Sequence, residues 1–503
     1  MDYLILMICI VVSGLLLYSS RTSKMKLPPG PPGLPIVGNL FDLGSLPHRS
    51  LAKLAKLHGP VMCLRMGRLR VVVISSDSAA KEVLQTSDTL FCNRFVYDSL
   101  TASQHHTFSM ALLPPTALWK SLRKISASQL FTNARMNASQ HLRRKQLEDL
   151  LSYVESCSRS GTAINIAQAA FNTSVNLLSK TFFSVDLIDP SSSNSVEFKE
   201  MVWQIMLESG TPNLADYFPV LRRIDPQGNR RRMKIQFEKI LDLFNTMIRQ
   251  RLDEKGGCFD EINDTLDALL KINQDNSEEL DLSVIPHLLL DLFVGGSEST
   301  SSTVEWAMAL LFSNPEKMKK AKEELETVVG KGIAVKEEDT GRLPYLQAAI
   351  KETFRMHPPT PFLIPRKTDS DVDLCGFTVQ KGSQVIVNAW AIGRDPSLWE
   401  NADTFEPERF LGMEIDVKGR NFELIPFGAG RRICPGLPIA MRMLTLMVAN
   451  LINCFEWRLE GGAAPETLDM SDKIGFTLQR AHPFRVIPTS IIQGCDVSTA
   501  LNN

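Results

Sequence analysis

Long stretches of helix-forming residues dominate the pattern of hydrophobic and polar positions. Helices are predicted over 140–156, 195–209, 232–253, 284–313 and 315–330. Strand-like runs are short, such as those from Val71 to Ser75 and from Gln384 to Asn388. The acidic segment from Asp253 to Leu282 contains two adjacent glycines and is predicted to be a surface connection. With no break in composition along the main body, the pattern predicts a mainly α, large helical domain with small β-sheets.

The N-terminal residues form the longest uncharged apolar run. No charged residue occurs from Tyr3 to Ser20, and about eighteen helical residues span a hydrocarbon core of about 30 Å. A cleaved signal peptide is disfavoured because Asp2 makes the start acidic and no small-x-small cleavage site is obvious. Residues 3–20 are therefore predicted to be one transmembrane anchor. Basic residues follow it, which predicts a single-pass protein with its body in the cytosol.

The segment after the anchor is rich in proline. Five prolines occur from Pro28 to Pro35, and such a run favours a stiff, extended conformation. Residues 27–40 are predicted to be a rigid hinge that leads into a main domain at 41–490. A passive linker or a ligand for a proline-binding module remains the alternative. Residues 491–503 are expected to be a disordered tail.

Composition excludes few classes of protein. The chain has 44% hydrophobic residues, 22% charged residues and a formal net charge of -1, so nucleic acid is a poor candidate partner. The nine cysteines are odd in number and scattered, without metal-like spacing. Most are expected to be small buried apolar groups in a reducing compartment.

Cys434 lies in a different setting, the segment Pro426 to Gly436. Glycines at 428, 430 and 436 permit a tight loop, and Pro435 restricts the chain directly after the cysteine. Backbone amides and Arg432 near the sulfur would favour the thiolate, which is the form that binds metal. A lone cysteine in such a loop would be weak evidence, because a structural turn explains it equally well.

The spacing in this segment resembles a family signature. Phe427, Gly430, Arg432, Cys434 and Gly436 match the haem-ligand pattern of the cytochrome P-450 family. This resemblance implies the cytochrome P-450 fold, with haem b held by Cys434 as the iron ligand and contacted by Phe427, Arg432 and Gly436. A thiolate ligand donates electron density to iron and assists O–O cleavage.

Two further motifs of that family occur in the expected order. Glu352 and Arg355, with Arg409 in a Pro-Glu-Arg-Phe segment, resemble its buried structural network. Trp119 and Arg123 resemble its Trp-x-x-x-Arg pair, which contacts a haem propionate. The resemblance extends propionate contact to Arg432 and to Arg366; for each arginine, an ordinary solvated side chain is the alternative.

The helix predicted over 284–313 contains Gly295 and Gly296, which cost about 1 kcal/mol each relative to alanine. Their missing side chains would let a flat macrocycle or O2 approach the backbone. The resemblance implies that Glu298 relays protons and that Ser299 stands where the family usually has threonine. Thr300 is an alternative hydroxyl, but it points about 100° away around the helix. Glu298 and Ser299 are the predicted catalytic residues.

The resemblance implies a monooxygenase that uses O2 and electrons from NADPH. The electrons would arrive through NADPH-cytochrome P-450 reductase at the endoplasmic reticulum membrane. Lys120, Lys124 and Arg431 are candidate cations for steering that partner. Two rivals remain open: a haem-thiolate isomerase or dehydratase that needs no O2, and a haem protein that performs no chemistry.

Segments 212–219, 225–228 and 291–297 resemble plant microsomal enzymes that include geraniol hydroxylases and oxidases of abietane diterpenoids. This implies an apolar terpenoid substrate, with an abietane-type diterpenoid as the main expectation and a geraniol-type monoterpenoid as the alternative. By family position the pocket would draw on 95–113, 205–213, 290–294, 360–364 and 475–478. The named pocket candidates are Val294, Gly295, Phe362, Leu363, Ile364 and Phe476; a core role for the apolar side chains is equally compatible with their chemistry.

Overall fold

The protein is described here as a computed structural model that covers residues 26–187 and 193–491. The predicted anchor at 3–20 and the predicted tail beyond Ile491 lie outside the described residues. The predicted hinge lies within them from Leu27 onward, and it packs on the body. The carbonyl of Pro29 accepts a hydrogen bond from the Cys63 N–H at 2.7 Å, and Leu34 pairs with Gly38.

Helices make up most of the described chain. In chain order they are α1 (Pro47–His58), α2 (Asp77–Lys81), α3 (Asp88–Phe91), α4 (Ala117–Ile125), α5 (Asn133–Ala138), α6 (Gln140–Ser160), α7 (Ile166–Phe183), α8 (Ser193–Gly210), α9 (Leu214–Tyr217), α10 (Asn229–Glu254), α11 (Thr265–Asp275), α12 (Ile285–Ser313), α13 (Pro315–Val328), α14 (Pro344–Met356), α15 (Ala389–Ile392) and α16 (Leu437–Cys454). Short 3-10 turns at Asp98–Thr107, Pro407–Phe410 and Gly430–Arg432 lie between them.

The strands form small sheets. They are β1 (Val61–Met66), β2 (Leu69–Ile74), β3 (Asn93–Arg94), β4 (Ile164–Asn165), β5 (Arg366–Lys367), β6 (Val372–Leu374), β7 (Phe377–Val379), β8 (Gln384–Val387), β9 (Phe455–Leu459), β10 (Asp472–Ile474), β11 (Leu478–Arg480) and β12 (Arg485–Ser490). The largest has the order β1-β2-β8-β5-β3, in which only the β2–β8 pair is parallel. The others are β4-β12-β9, β10-β11 and β6-β7.

Helix α12 organises the core. Pro286 lies in its first turn, where a missing N–H costs nothing, and Pro315 follows its end. Its N-terminal half, up to Phe293, packs into one apolar cluster, and its C-terminal half, from Val304 onward, packs into another. The stretch between the two clusters contains the glycine pair. This middle stretch of α12 therefore packs into neither apolar cluster and lines an internal cavity.

The predicted fold class is confirmed. The five predicted helices correspond to α6, α8, α10, α12 and α13, and the two predicted strands overlap β2 and β8. The surface connection predicted from Asp253 to Leu282 is wrong in part, because it contains α11. Asp264 caps that helix by accepting from the Asp267 N–H, and Leu266 and Leu269 are buried on its inner face.

Among the described residues, α16 is long and apolar enough to cross a membrane. However, 67% of it is buried inside the protein, where it belongs to the same apolar cluster as the C-terminal half of α12. This is the environment of a core helix. Its start, directly after Gly436, also fixes the end of the loop that carries Cys434.

Candidate active site

Cys434 lies in a tight loop between the 3-10 turn at Gly430 and the start of α16. Its N–H donates to the carbonyl of Phe427 at 3.0 Å, which folds the loop back on itself. Gly430 has a φ of +67°, and a Cβ there would lie 1.9 Å from the carbonyl oxygen of Leu84. No other residue could occupy this position without moving the backbone. The loop thus holds the sulfur at the wall of an internal cavity.

The electrostatic setting of Cys434 suits a thiolate that binds a metal cation. Burial raises the pKa of its thiol, while the N–H groups of Gly436 and Leu437 and the charge of Arg123 act in the opposite direction. A bound iron would add the positive charge that stabilises the thiolate, because metal binding and thiol deprotonation are linked.

Four arginines converge on one side of the cavity: Arg94, Arg123, Arg366 and Arg432. Burial is the largest cause that lowers the pKa of each, to about 10 for Arg366 and for Arg432. Neighbouring guanidinium groups lower the pKa of Arg94 and Arg432 further. Among the described residues, no carboxylate forms a salt bridge with any of the four.

Arg94 and Arg366 are also direct cross-strand partners in the β3–β5 pair. Like charges placed opposite each other are destabilising, and a bound anion would offset their repulsion. The partners of the cluster within the protein are backbone carbonyls. Arg432 donates to Cys92 at 3.0 Å, Arg366 to Phe91 at 3.2 Å and Arg94 to Ile364 at 2.6 Å.

Trp119 adds a buried hydrogen-bond donor that lacks an acceptor in the described part of the chain. The Arg432 guanidinium lies 4.3 Å from the centroid of its ring, and its indole N–H is buried without a partner among the described residues. A buried indole donor normally has an acceptor. The two propionates of a haem would supply anionic oxygens to the arginines and to Trp119. The residues present therefore fit haem b.

The opposite wall of the cavity is the glycine-containing turn of α12. Gly295, Gly296, Ser299 and Thr300 all line it. The Ser299 hydroxyl donates to the carbonyl of Gly295 at 2.7 Å, and the Thr300 hydroxyl donates to that of Gly296 at 3.0 Å. Ser299 is half-buried at the cavity, whereas Thr300 is buried. Of these two hydroxyls, that of Ser299 is therefore more open to the cavity.

Glu298 does not line the cavity. Its side chain points to the β10–β11 hairpin, where it accepts a hydrogen bond from the Gln479 amide. Burial raises the pKa of Glu298 to about 7, against opposing effects of Thr477, Lys473 and Gln479. A carboxyl group with this pKa both gains and loses protons near neutral pH. The two residues predicted to be catalytic are thus adjacent in sequence but face different surroundings.

The cavity has a volume of about 770 Å³, within the usual range for ligand sites. All other predicted cofactor and pocket residues line it: Trp119, Arg123, Val294, Gly295, Phe362, Leu363, Ile364, Arg366, Phe427, Arg432, Cys434, Gly436 and Phe476. Each of the five predicted pocket segments contributes at least two residues. Side chains from α7, including Leu178 and Phe182, complete the apolar wall.

The predicted structural network lies behind the Cys434 loop. The Glu352 carboxylate accepts from Arg355 at 2.7 Å through both oxygens and from Arg409 at 3.1 Å. Arg355 also donates to the carbonyls of Gly393 and Ala402, both at 2.6 Å. The network connects α14 to the loop before Phe410, and α14 contacts the Cys434 loop through Phe354 and Phe427, whose ring centroids are 5.3 Å apart.

Sequence reasoning missed three features of this site. Arg94 carries no motif of its own, and only its pairing with Arg366 reveals it. Asp291 and His105, 3.2 Å apart, form a polar pair in the otherwise apolar part of the cavity wall. Gln479 contacts Glu298 although the two residues are 181 positions apart in the chain. Local sequence patterns do not predict contacts at this separation.

Comparisons with known proteins identify the class. The model of the cytochrome P450 family matches residues 28–484. Geraniol 8-hydroxylase from Catharanthus roseus is 50% identical, over 98% of this chain and 100% of its own length. Geranylhydroquinone 3''-hydroxylase CYP76B74 from Arnebia euchroma is 47% identical, over 98% and 99%. The solved structure of a zebra fish cytochrome P450 with progesterone aligns with a TM-score of 0.76 and 25% identity, over 88% of this chain and 99% of that one.

A haem cavity between a cysteine loop and a glycine-containing helix, together with these matches, defines a haem-thiolate monooxygenase. The chain belongs to the cytochrome P450 family. It therefore uses haem b and receives electrons from a reductase. Its relatives are plant enzymes of the CYP76 group. The names of the two relatives above favour the geraniol-type alternative over the abietane diterpenoid, which the comparisons do not support.

Proposed function

We propose that this enzyme hydroxylates a monoterpenoid with a geranyl chain, at the endoplasmic reticulum membrane, with O2 and with electrons from NADPH-cytochrome P-450 reductase. One observation carries the proposal: the Cys434 sulfur and the Ser299 hydroxyl line the same cavity, and apolar side chains form the wall beyond them. A hydrocarbon chain gains about 0.8 kcal/mol for each CH2 group that it buries in such a wall. The names of the two plant relatives supply the geranyl group.

In this proposal the protein holds haem b from two sides. The Cys434 sulfur would bind the iron, and the N–H groups of Gly436 and Leu437 would stabilise its negative charge. The arginine cluster and the Trp119 N–H would bind the propionate carboxylates of the haem. Bound haem supplies the activation of O2 that places one oxygen atom on a substrate carbon. The Glu352 network supports the Cys434 loop and takes no part in the chemistry.

Proton supply is assigned to α12. Ser299 presents its hydroxyl at the cavity, where it can donate once it leaves the Gly295 carbonyl. Glu298 holds an exchangeable proton on the side of the helix that faces the β10–β11 hairpin, because its raised pKa of about 7 leaves both forms populated near neutral pH. The replacement of the usual threonine by Ser299 removes a methyl group that would restrict the side-chain rotamer.

Substrate positioning is assigned to the apolar wall beyond the haem site. Val294, Phe362, Leu363, Ile364 and Phe476 line it, and they would exclude water and hold a hydrocarbon chain. Asp291 is a carboxylate that also lines the cavity. Its carboxylate already accepts from the Ser109 hydroxyl at 2.7 Å and contacts His105, so it does not face the substrate as a free charge.

Electron delivery is assigned to the cysteine side of the haem. Of the three candidate cations, Lys124 pairs with Glu279 at 2.9 Å and Arg431 pairs with Asp88 at 2.7 Å. Lys120 is exposed and has no salt bridge among the described residues. Lys120 is therefore the candidate most available to an acidic reductase surface. The anchor predicted at 3–20 would keep both proteins on one membrane.

The test is product analysis by mass spectrometry in microsomes supplied with reductase and NADPH. We expect a hydroxylated product from geraniol or from geranylhydroquinone, and none when NADPH is withheld. An abietane diterpene in the same panel serves as the comparison substrate. Turnover of another substrate class alone, with both geranyl compounds unreacted, would contradict the proposal. Conversion of a hydroperoxide without NADPH would instead indicate an isomerase.

A further inference from the structure

The carboxyl group of Glu298 is held by the hairpin formed by β10, residues 475–477 and β11. Gln479, in β11, donates its amide N–H to one carboxylate oxygen of Glu298. The other oxygen is buried with no partner among the described residues. Glu298 is only 5% exposed, and its hydrogen-bonding neighbours on the hairpin are the side chains of Gln479 and Thr477.

The same hairpin connects this buried position to solvent. Lys473 and Gln479 are direct cross-strand partners, so their side chains share one face of the hairpin. Lys473 is exposed and Gln479 is half-buried. This face therefore joins the exposed Lys473 to Gln479, the donor to Glu298, whereas Ser299 faces the cavity.

The other charged groups near this part of α12 are engaged elsewhere. Glu305 accepts a hydrogen bond from the Phe484 N–H at 2.8 Å. Arg480 donates to the backbone carbonyl of Asp469 at 2.5 Å. Lys473 is the remaining charge that acts on Glu298, through space. Gln479 is thus the amide donor that contacts the Glu298 carboxyl directly, with Thr477 beside it.

We propose that Gln479 is a positioning residue for proton uptake, which holds Glu298 at the solvent-facing hairpin so that it can be reprotonated between transfers to the cavity side. The effect on turnover rests on the proposed function. The position of Glu298 itself does not, because it can be measured in the holoenzyme without substrate.

The first measurement is the pH titration of the Glu298 carboxyl by infrared difference spectroscopy of the holoenzyme. The Glu298→Gln variant identifies the band. In Gln479→Leu, which keeps a similar volume but has no donor, we expect the titration midpoint to rise by about one pH unit, because a hydrogen bond to the charged form is lost. Thr477→Val should move it in the same direction. An unchanged or lowered midpoint in Gln479→Leu overturns the proposal.

The second measurement is the yield of hydroxylated product per NADPH, with whichever substrate the wild type turns over. In Gln479→Leu we expect a fall of roughly three- to tenfold, a larger solvent deuterium isotope effect and an unchanged substrate dissociation constant. Ser471→Ala is the matched control and should match the wild type, because Ser471 lies directly before β10 and its side chain hydrogen-bonds to Asp469. Equal product yield and isotope effect in Gln479→Leu would also overturn the proposal. If geranyl compounds fail but the infrared midpoint shifts, only the proposed substrate is wrong.

Discussion

Replacing Glu352 by glutamine tests how the Cys434 loop is supported. The Glu352 side chain is fully buried and accepts four hydrogen bonds: two from Arg355, one from Arg409 and one from the Glu406 N–H. Glutamine has nearly the same shape but one acceptor oxygen and no charge. In Glu352→Gln an NH2 group would therefore face guanidinium donors. Arg355 would lose its counterion, and Arg409 would keep only Glu406.

The magnitude follows from the burial of the partners. The Arg355 side chain is 0% exposed and that of Arg409 is 9% exposed. Removal of one partner of a buried ion pair costs about 3–5 kcal/mol, whereas loss of one neutral hydrogen bond costs about 1 kcal/mol. Loss of the charge is thus the larger effect. For a chain of this size we expect the unfolding midpoint to fall by about 4–8 °C.

The assay follows the reduced, CO-bound spectrum during heating, since this spectrum reports the thiolate ligand that the network supports. Glu460→Gln is the matched control, because Glu460 also pairs with an arginine, Arg485, but both side chains are about half exposed. We expect the control to melt with the wild type. If Glu352→Gln keeps both the wild-type melting point and the wild-type haem content, the network does not support the loop.

Three further substitutions test other parts of the site. In Arg94→Leu we expect haem to transfer to an apoprotein scavenger about tenfold faster or more, because a buried propionate contact is lost; wild-type haem retention would exclude that contact. In Ser299→Thr we expect more product and less H2O2 per NADPH, since the added methyl group restricts the hydroxyl; lower yield would contradict this. The pKa of Glu298 is raised to about 7, so its burial destabilises the fold increasingly as pH rises from the unfolded value towards 7. Glu298→Gln should therefore melt higher than wild type at pH 8 and alike at pH 4; the same difference at both would refute the shift.

Much of the fold could be predicted because its helices are long and amphipathic. Helices α6, α10 and α13 have polar outer faces, and their predicted bounds are close to the observed ones. Helices α7 and α16 have apolar residues on most of their surface, since most of their residues are buried. The alternation of hydrophobic and polar positions therefore does not show where such helices begin and end. Helix α11 was hidden in an acidic segment because its stability comes from capping and ion pairs made at a distance.

Residues of the candidate site could be predicted where a motif fixes their spacing within one loop or helix. Cys434, Trp119 and Arg123 were found in this way. The orientation of Glu298 could not be, because neighbours on a helix differ by about 100° and only the packing of the β10–β11 hairpin shows which one faces the cavity. Arg94 was missed for a similar reason: its role arises from the pairing of two short strands that are distant in sequence.

The central claim is that the Cys434 sulfur binds the haem iron. The most direct measurement is the reduced, CO-bound spectrum of the wild type and of Cys434→Ala. Cys454→Ala is the control, because Cys454 is 1% exposed in the core and does not line the cavity. We predict the Soret band of a thiolate-ligated haem in the wild type and in Cys454→Ala, and its loss in Cys434→Ala. Persistence of that band in Cys434→Ala, or its absence from the wild type, would contradict the account.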